Sequence, residues 1–240
     1  MELGLNQEQN RVRVALDRAQ RAKVVHNLQG QKLGRKGQIT RAKIIAAAQE
    51  LIAESDDPNI SLSAVARVVG IGMTSLYNYF ADLSELVLAL LELAMEDADE
   101  AYIHHLSERW SDETLAEDCR KFVTNFAEFW ARNANLLHVR NYLADQRNQQ
   151  MIHHRVLAAK QVGLLLTMQM DTEPDGRDSM TQGMATALYI AIERVSSVLN
   201  NGDLPADVDG SFRPKSTFLL EAQSHLLEMG LRSMREQNRG

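Results

Sequence analysis

The scarcity of proline constrains the fold of this chain more than any other feature. The 240 residues contain four prolines, and the 115 residues between Pro58 and Pro174 contain none. Proline breaks helices more strongly than any other residue. The runs of alternating β-branched and aromatic residues that would indicate strands do not occur. The sequence therefore predicts an all-α protein.

Apolar residues recur at helical spacing along most of the chain. They predict a thin amphipathic helix over residues 6–28, a glycine-rich basic arm over 30–37, and a helix from near Gln38 to Glu54. Further helices are predicted downstream over residues 82–107, 112–132, 134–145, 148–171, 178–201 and 215–238.

The net charge of −6 hides an uneven distribution of charge. Residues 1–80 contain 11 Lys and Arg against 7 Asp and Glu, whereas residues 81–240 contain 15 against 25. The asymmetry predicts that the N-terminal part meets a polyanion and that the rest of the chain has another role. We expect the basic arm, with Arg35 and Lys36, to contact phosphates or a minor groove.

Several function classes are disfavoured by the sequence. The N-terminus has no apolar core typical of a signal peptide, and no apolar run is long enough to span a membrane, so we expect a cytoplasmic protein. Cys119 is the single cysteine and cannot form an internal disulfide. A phosphate-binding glycine loop, a nucleophile elbow and a zinc-type cysteine spacing are all missing. We therefore predict a non-enzyme that needs no cofactor and no metal.

The most informative segment runs from Ser61 to Phe80 and reads SLSAVARVVGIGMTSLYNYF. Ser61 is a good helix N-cap, and Gly70 stands where a helix end needs a left-handed residue. Gly72 or Met73 then opens a second short helix. A helix, a tight glycine turn and a short second helix are typical of a helix-turn-helix unit, whose second helix lies in the major groove of DNA.

This region closely resembles the TetR family of bacterial transcriptional regulators. The resemblance covers about residues 38–86 and departs from the family pattern at Leu83, where a lysine is usual, and at Gly72, where serine is frequent. The residues that carry it are Thr40, Arg41, Ile44, Ala47, Leu51, Ser61, Val65, Ala66, Gly70, Ile71, Ser75, Leu76, Tyr77, Tyr79, Phe80 and Leu86.

The resemblance implies a division of labour along the chain. Residues 1–37 would be a basic extension, 38–82 a three-helix DNA-binding domain, and 83–240 a larger helical domain for ligand binding and dimerisation. The partners implied are a palindromic double-stranded DNA operator, a small-molecule effector and a second copy of the chain. The DNA contacts that the resemblance implies are Thr40, Ser61, Ser63, Met73, Thr74, Ser75, Tyr77, Asn78 and Tyr79.

The larger part of the chain carries aromatic side chains at helical spacing, beginning with Cys119, Phe122, Phe126 and Trp130. Such a stripe is usually core. A mostly apolar pocket with a few polar tips is also the usual form of a small-molecule site, so we predict a hydrophobic or aromatic effector. The resemblance implies that this effector releases a repressor from DNA. The candidate ligand residues are Phe126, Trp130, His138, Tyr142, Met168 and Tyr189.

The last two predicted helices carry small and apolar residues that permit close helix packing. By resemblance, this pair of helices forms the dimer interface as a four-helix bundle about a two-fold axis. The candidate interface residues are Ala187, Ala191, Val195, Leu226, Met229 and Gly230.

Two other interpretations fit parts of the sequence. Glu100 with His104, and Glu221 with His225, stand four residues apart and so share a helix face, as ligands of a metal-dependent helical-bundle enzyme would. Alternatively, the protein binds DNA while its larger part docks a partner protein instead of a small molecule.

Overall fold

A computed structural model describes residues 33–55, 59–172, 179–201 and 216–239. Within these ranges the regular structure is helical and includes no strand, which confirms the all-α prediction. The predicted helix over 6–28 and residues 30–32 of the predicted basic arm lie outside the described residues. The helices are α1 (Arg35–Ala53), α2 (Leu62–Val69), α3 (Met73–Leu76), α4 (Leu83–Glu96), α5 (His104–Leu106), α6 (Leu115–Arg132), α7 (Ala134–Asp145), α8 (Gln149–Gln169), α9 (Met180–Leu199) and α10 (Ser216–Arg239).

The predicted helical stretch over 82–107 is interrupted in the structure. A π-helical turn over Asp99–Ile103 separates α4 from α5. A π-turn adds one residue to a helical turn and so changes which residues face the core. Tyr102 and Ile103, which are adjacent, are both buried here. None of the described helices is long and apolar enough to cross a membrane.

The chain divides into two compact units. The first consists of Met1–Met95 and Asn135–Met151, and the second of Glu96–Ala134 and Ile152–Gly240. Because residues 135–151 return to the first unit, its boundaries differ from those of the predicted 38–82 domain. The assignment of functions to 1–37, 38–82 and 83–240 stays a prediction.

The first unit is built around α1, which packs on α2. Two asparagines attach the returning segment to this unit. The Asn135 amide donates to the backbone oxygens of Ile52, Ala53 and Ser55 at 3.0, 3.3 and 3.2 Å, and so satisfies carbonyls that the end of α1 leaves unpaired. The Asn148 amide donates to Ser84 Oγ at 2.6 Å. The core of this unit includes Ala42, Ile44, Ile45, Ala48, Val65, Leu76, Phe80, Leu86 and Leu90.

The second unit has an aromatic core centred on α6, which contacts α9 and α10. The Tyr102 ring lies edge-on to the rings of Phe126 and Phe129, with centroids 4.9 and 5.2 Å apart. Burial raises the pKa of the Cys119 thiol to about 12, so this group is neutral and unreactive at physiological pH. The sulfur acts as a small apolar core atom.

A buried arginine fastens the end of α10 within the second unit. Arg235 is 2% exposed, and its guanidinium donates to the backbone oxygens of Gln169 and Trp110 at 2.7 and 3.0 Å and to Asp112 Oδ1 at 2.6 Å. Hydrogen bonds from Arg239 and Arg235 lower the pKa of Asp112 to about 2. The network joins the chain on both sides of residue 111 to the ends of α8 and α10.

Candidate nucleic-acid interface

The segment from Ser61 to Gly70 folds as its sequence predicts. Ser61 has an extended backbone and its Oγ accepts a hydrogen bond from Ala64 N at 3.3 Å, so it caps α2. Val65 and Ala66 face the core. Gly70 ends the helix with φ 72° and ψ 35°, and Ile71 N donates to Ala66 O at 3.0 Å. This left-handed closure turns the chain sharply into α3.

Replacing Gly70 with alanine is expected to destabilise the protein because of the backbone conformation at this position and not because of steric crowding. Its φ is positive, yet no atom lies within 4 Å of the position that a Cβ would take. Gly70→Ala should lower the free energy of unfolding by about 1 to 2 kcal/mol, the cost of a left-handed non-glycine residue. Gly163, within α8, also has open space around it but no positive φ. Gly163→Ala should raise the free energy by roughly 0.5 to 1 kcal/mol. Urea denaturation of both variants measures the two changes in the free energy of unfolding. Changes of the same sign in the two variants would contradict this prediction.

The short helix α3 presents polar groups to solvent. It begins after Gly72, and Leu76 and Phe80 are 0% and 1% exposed, so these two side chains anchor it to the core. Thr74 and Ser75 are exposed, and Tyr77 is 49% exposed. Met73, Asn78 and Tyr79 are half-buried. The predicted DNA-contact residues around α3 therefore all reach the surface, at least in part.

Contacts from α1 and from the start of α4 hold the segment that follows α3. The Arg41 guanidinium carbon lies 5.1 Å from the Phe80 ring centroid, a cation–π contact. Burial lowers the pKa of Arg41, and the nearby carboxylates Glu92 and Glu85 partly oppose this effect. Ala81 N donates to Glu85 Oε2 at 2.6 Å, and Glu85 N donates to Asp82 Oδ1 at 2.9 Å, so the two carboxylates bond backbone N–H groups at the start of α4.

Arg35 and Lys36 lie in the first turn of α1 and are exposed. The helix thus begins three residues before its predicted start near Gln38. Leu33 is buried, and a Cβ on Gly37 would come within 2.9 Å of Leu33 Cδ2, so close packing at Gly37 accompanies the extra turn. Thr40 is half-buried, and its Oγ1 donates to Lys36 O at 3.0 Å.

Two exposed cations of the first unit were missed in the sequence-based prediction. Lys43 lies on α1 and Arg67 near the end of α2. A signal for Arg67 exists in the sequence, because it directly follows Val65 and Ala66, the inward-facing pair, and so must point away from the core. Ser61 and Ser63 at the other end of α2 are exposed, with their hydroxyl oxygens 3.1 Å apart.

The predicted ligand residues are divided between the two units. Phe126 and Tyr189 lie in the second unit with ring centroids 5.9 Å apart, and Trp130 is buried in the same unit. Met168 is 45% exposed and points away from that core. The remaining two candidates, His138 and Tyr142, are half-buried residues of the first unit.

The predicted dimer residues lie on α9 and α10. Leu226 and Met229 are 48% and 56% exposed, and Ala187 is also exposed. Ala191 and Val195 are half-buried. Gly230 serves packing within the chain, because a Cβ there would come within 2.8 Å of Leu188 Cδ1. The same two helices expose three large apolar residues that the prediction missed, Met180, Ile190 and Phe218.

The pairs considered as metal ligands lie on helices, but among the described residues no group of three or more His, Cys, Asp and Glu side chains is arranged to hold a metal ion. His225 lies 3.6 Å from Glu228, its neighbour on α10, and is largely exposed.

No family model matches this chain. Over 65 residues it is 40% identical to a protein of Haemophilus influenzae described as an uncharacterized HTH-type transcriptional regulator. The aligned stretch makes up 27% of this chain and 32% of that relative, so the match spans about a third of the relative's length. The chain is therefore similar, over this stretch, to a transcriptional regulator of the helix-turn-helix type.

Proposed function

We propose that this protein is a DNA-binding transcriptional regulator that acts in the cytoplasm as a TetR-type homodimer. The observation that carries the proposal is the arrangement of α2, the left-handed Gly70 and α3. Leu76 and Phe80 are fully buried, whereas Thr74, Ser75 and Tyr77 stand exposed on the same short segment. The partial similarity to a regulator supports the same conclusion.

The chemistry of the exposed groups suits a duplex. Hydroxyl and amide groups of Ser75 and Asn78 can bond base edges or phosphates, and the Met73 side chain suits a thymine methyl group. Arg35, Lys36 and Arg67 supply positive charge on α1 and α2, where phosphate contacts fix the register of a protein on DNA. The acidic C-terminal part then orients the basic end toward the duplex.

A two-fold dimer requires a roughly palindromic operator, with recognition helices about 34 to 36 Å apart for one turn of DNA. In this proposal the second unit binds a hydrophobic or aromatic effector, and binding releases a repressor from the operator. The coupling is reciprocal, so operator DNA weakens effector binding by the same factor.

The proposal is tested with duplexes that the wild-type protein selects from a random-sequence library. Ser75→Glu should raise the Kd for the selected duplex about tenfold, because the new carboxylate faces the phosphate backbone. Fluorescence anisotropy measures the Kd, and the wild-type affinity should fall steeply as salt rises.

Gln49→Glu is the matched control for this experiment. Gln49 is exposed on the C-terminal half of α1, and its replacement adds the same charge to the same unit. We expect its Kd to change by less than about twofold. Failure of the wild-type protein to enrich any duplex, or equal effects of the two substitutions, would overturn the proposal.

A further inference from the structure

Helices α9 and α10 pack against each other within the second unit. Leu188 of α9 lies against Gly230 of α10, where a Cβ would come within 2.8 Å of Leu188 Cδ1. The two helices therefore approach each other closely at this point.

Buried residues continue along both helices from this contact. Ile192 stands four residues beyond Leu188, Leu227 stands three residues before Gly230, and both are 0% exposed. Ser196 lies one further turn along α9 and Gln223 one further turn back along α10, so each is about two turns from the contact. A hydroxyl and an amide thus follow apolar residues on the buried faces of the two helices.

Both side chains are buried without the hydrogen bonds that burial requires. Ser196 is 0% exposed and Gln223 is 5% exposed. Ser196 Oγ and Gln223 Nε2 make no hydrogen bond to any described residue. Such groups are rare in native proteins and call for a functional reason, because each loses its hydration on folding without gaining a partner.

Gln169 provides the contrast within the same unit. It is 1% exposed, and its amide nitrogen donates to Leu106 O and Glu108 O at 2.9 and 2.7 Å, while its amide oxygen accepts from Trp110 N at 3.0 Å. A buried glutamine with a structural role in this fold is therefore bonded at both ends of its amide. Gln223 departs from that pattern at its donor end.

We propose that Ser196 and Gln223 form the polar end of the effector site and bind an oxygen of an uncharged molecule with an aromatic body. Gln223 Nε2 donates to a carbonyl or hydroxyl oxygen of that molecule, and Ser196 Oγ makes the second hydrogen bond. The proposal rests on the effector-binding role given to the second unit above, and it specifies the chemistry of the effector.

The surroundings favour a neutral group. Among the described residues of the second unit, Arg235 is the buried charged side chain, and its guanidinium is engaged by Asp112 and by backbone oxygens. An ionised ligand group at this depth would have no counter-charge to replace its hydration. The aromatic body follows from Tyr189, which lies two turns before Ser196 on the buried face of α9 and contacts Phe126.

The first test measures thermal unfolding without any ligand. Ser196→Ala and Gln223→Leu remove unpaired polar atoms, so each variant should melt at or above the wild-type temperature. The control Gln169→Leu removes four side-chain hydrogen bonds, including one from Arg235 to Gln169 Oε1 at 3.5 Å, and should lower Tm by about 5 °C or more. A loss of Tm in both test variants as large as that of Gln169→Leu would assign Ser196 and Gln223 a structural role and overturn the proposal.

The second test uses three probes of similar shape: benzamide, which is uncharged and carries an oxygen acceptor, benzoate, which is anionic, and toluene, which has no polar group. Benzamide should raise the Tm of the wild-type protein and should lose at least most of this effect in Ser196→Ala and Gln223→Leu. No shift with benzamide, an equal shift in the variants, or a larger shift with benzoate would each overturn the proposal.

DNA binding separates this inference from the proposed function. The two variants should bind the selected duplex as the wild-type protein does when no probe is present. If the wild-type protein binds no duplex but its benzamide response depends on Ser196 and Gln223, the site stands and the regulator proposal fails. If DNA binding is present and the benzamide response is absent, the regulator proposal stands and the site fails.

Discussion

Replacing Met229 with glutamate is expected to convert a dimer of this protein into monomers. Met229 is 56% exposed in the single chain, and Phe218 and Leu226 on α10 are 60% and 48% exposed. On α9, Met180 and Ile190 are 74% and 56% exposed. We propose that these exposed apolar side chains belong to the interface of the homodimer, since soluble monomers rarely expose large contiguous apolar patches.

The physical reason for the expected loss is the desolvation of charge. In a two-fold interface each substitution occurs twice, so Met229→Glu buries two carboxylates near each other in an apolar contact. Like charges opposed across an interface cost several kcal/mol. A cost of about 4 kcal/mol corresponds to a dimer Kd roughly a thousandfold higher.

Sedimentation velocity at micromolar concentration provides the measurement, with a monomer mass of 27.0 kDa as the reference. Val156→Glu is the matched control, because Val156 is 55% exposed on α8. We expect Val156→Glu to leave the dimer intact. If Val156→Glu is monomeric and Met229→Glu is dimeric, the interface involves α8 and not α9 and α10. A monomeric wild-type protein would refute the dimer.

Replacing Arg235 with methionine is expected to destabilise the second unit by about 3 kcal/mol. Methionine preserves much of the apolar length of the side chain but leaves the backbone oxygens of Trp110 and Gln169 buried without their donor. It also removes a cation from Asp112, whose side chain remains partly exposed and therefore partly hydrated. For a chain of this size the change corresponds to a fall in Tm of roughly 6 to 12 °C.

Arg232→Met is the control for Arg235→Met, since Arg232 is 43% exposed, pairs with Glu228 one turn away on α10 and reaches the network only through an exposed hydrogen bond from Nη1 to Asp112 O at 3.3 Å. An exposed pair of this kind contributes less than about 1 kcal/mol. Differential scanning calorimetry at neutral pH compares the two variants. Equal losses of Tm would show that the buried network has no special role.

The calorimetry is done at neutral pH because the contribution of Asp112 to stability depends on pH. Hydrogen bonds from Arg239 and Arg235 lower the pKa of its carboxyl group to about 2, from an ordinary value of 3.8. A carboxyl group with a lowered folded-state pKa contributes stability above its unfolded pKa and loses that contribution as the pH falls through the folded-state pKa. At neutral pH the contribution is therefore fully present.

Local features of this fold followed from local sequence. Ser61 and Gly70 were predicted as the cap and the left-handed end of a short helix because side-chain capping and glycine geometry depend on a few adjacent residues. Helices α6 and α7 end where the apolar periodicity ends, at Arg132 and Asp145. The extra first turn of α1 was missed because its stabilising contact, Leu33 against Gly37, is a packing detail and not a periodicity.

The candidate sites also combine features that follow from local sequence with features that depend on tertiary packing. Thr74, Ser75 and Tyr77 were predicted as DNA contacts from the resemblance, and they are exposed because the burial of Leu76 in the same segment fixes the opposite face. The ligand set was predicted from aromatic spacing alone. Spacing specifies which residues share a helix face but not which helix that face meets. His138 and Tyr142 therefore lie in a different unit from Phe126 and Tyr189.

The amino-acid sequence by itself determined the helical class, most helix boundaries and the glycine turn between α2 and α3, since these depend on interactions within a few residues. Only the tertiary structure decided that Arg235 bonds Asp112 and that Asn135 bonds the end of α1, because the partners are separated by 123 and about 80 residues. The unpaired state of Ser196 and Gln223 also emerges only there. Whether a polar group is satisfied depends on every neighbour that packing brings within bonding distance.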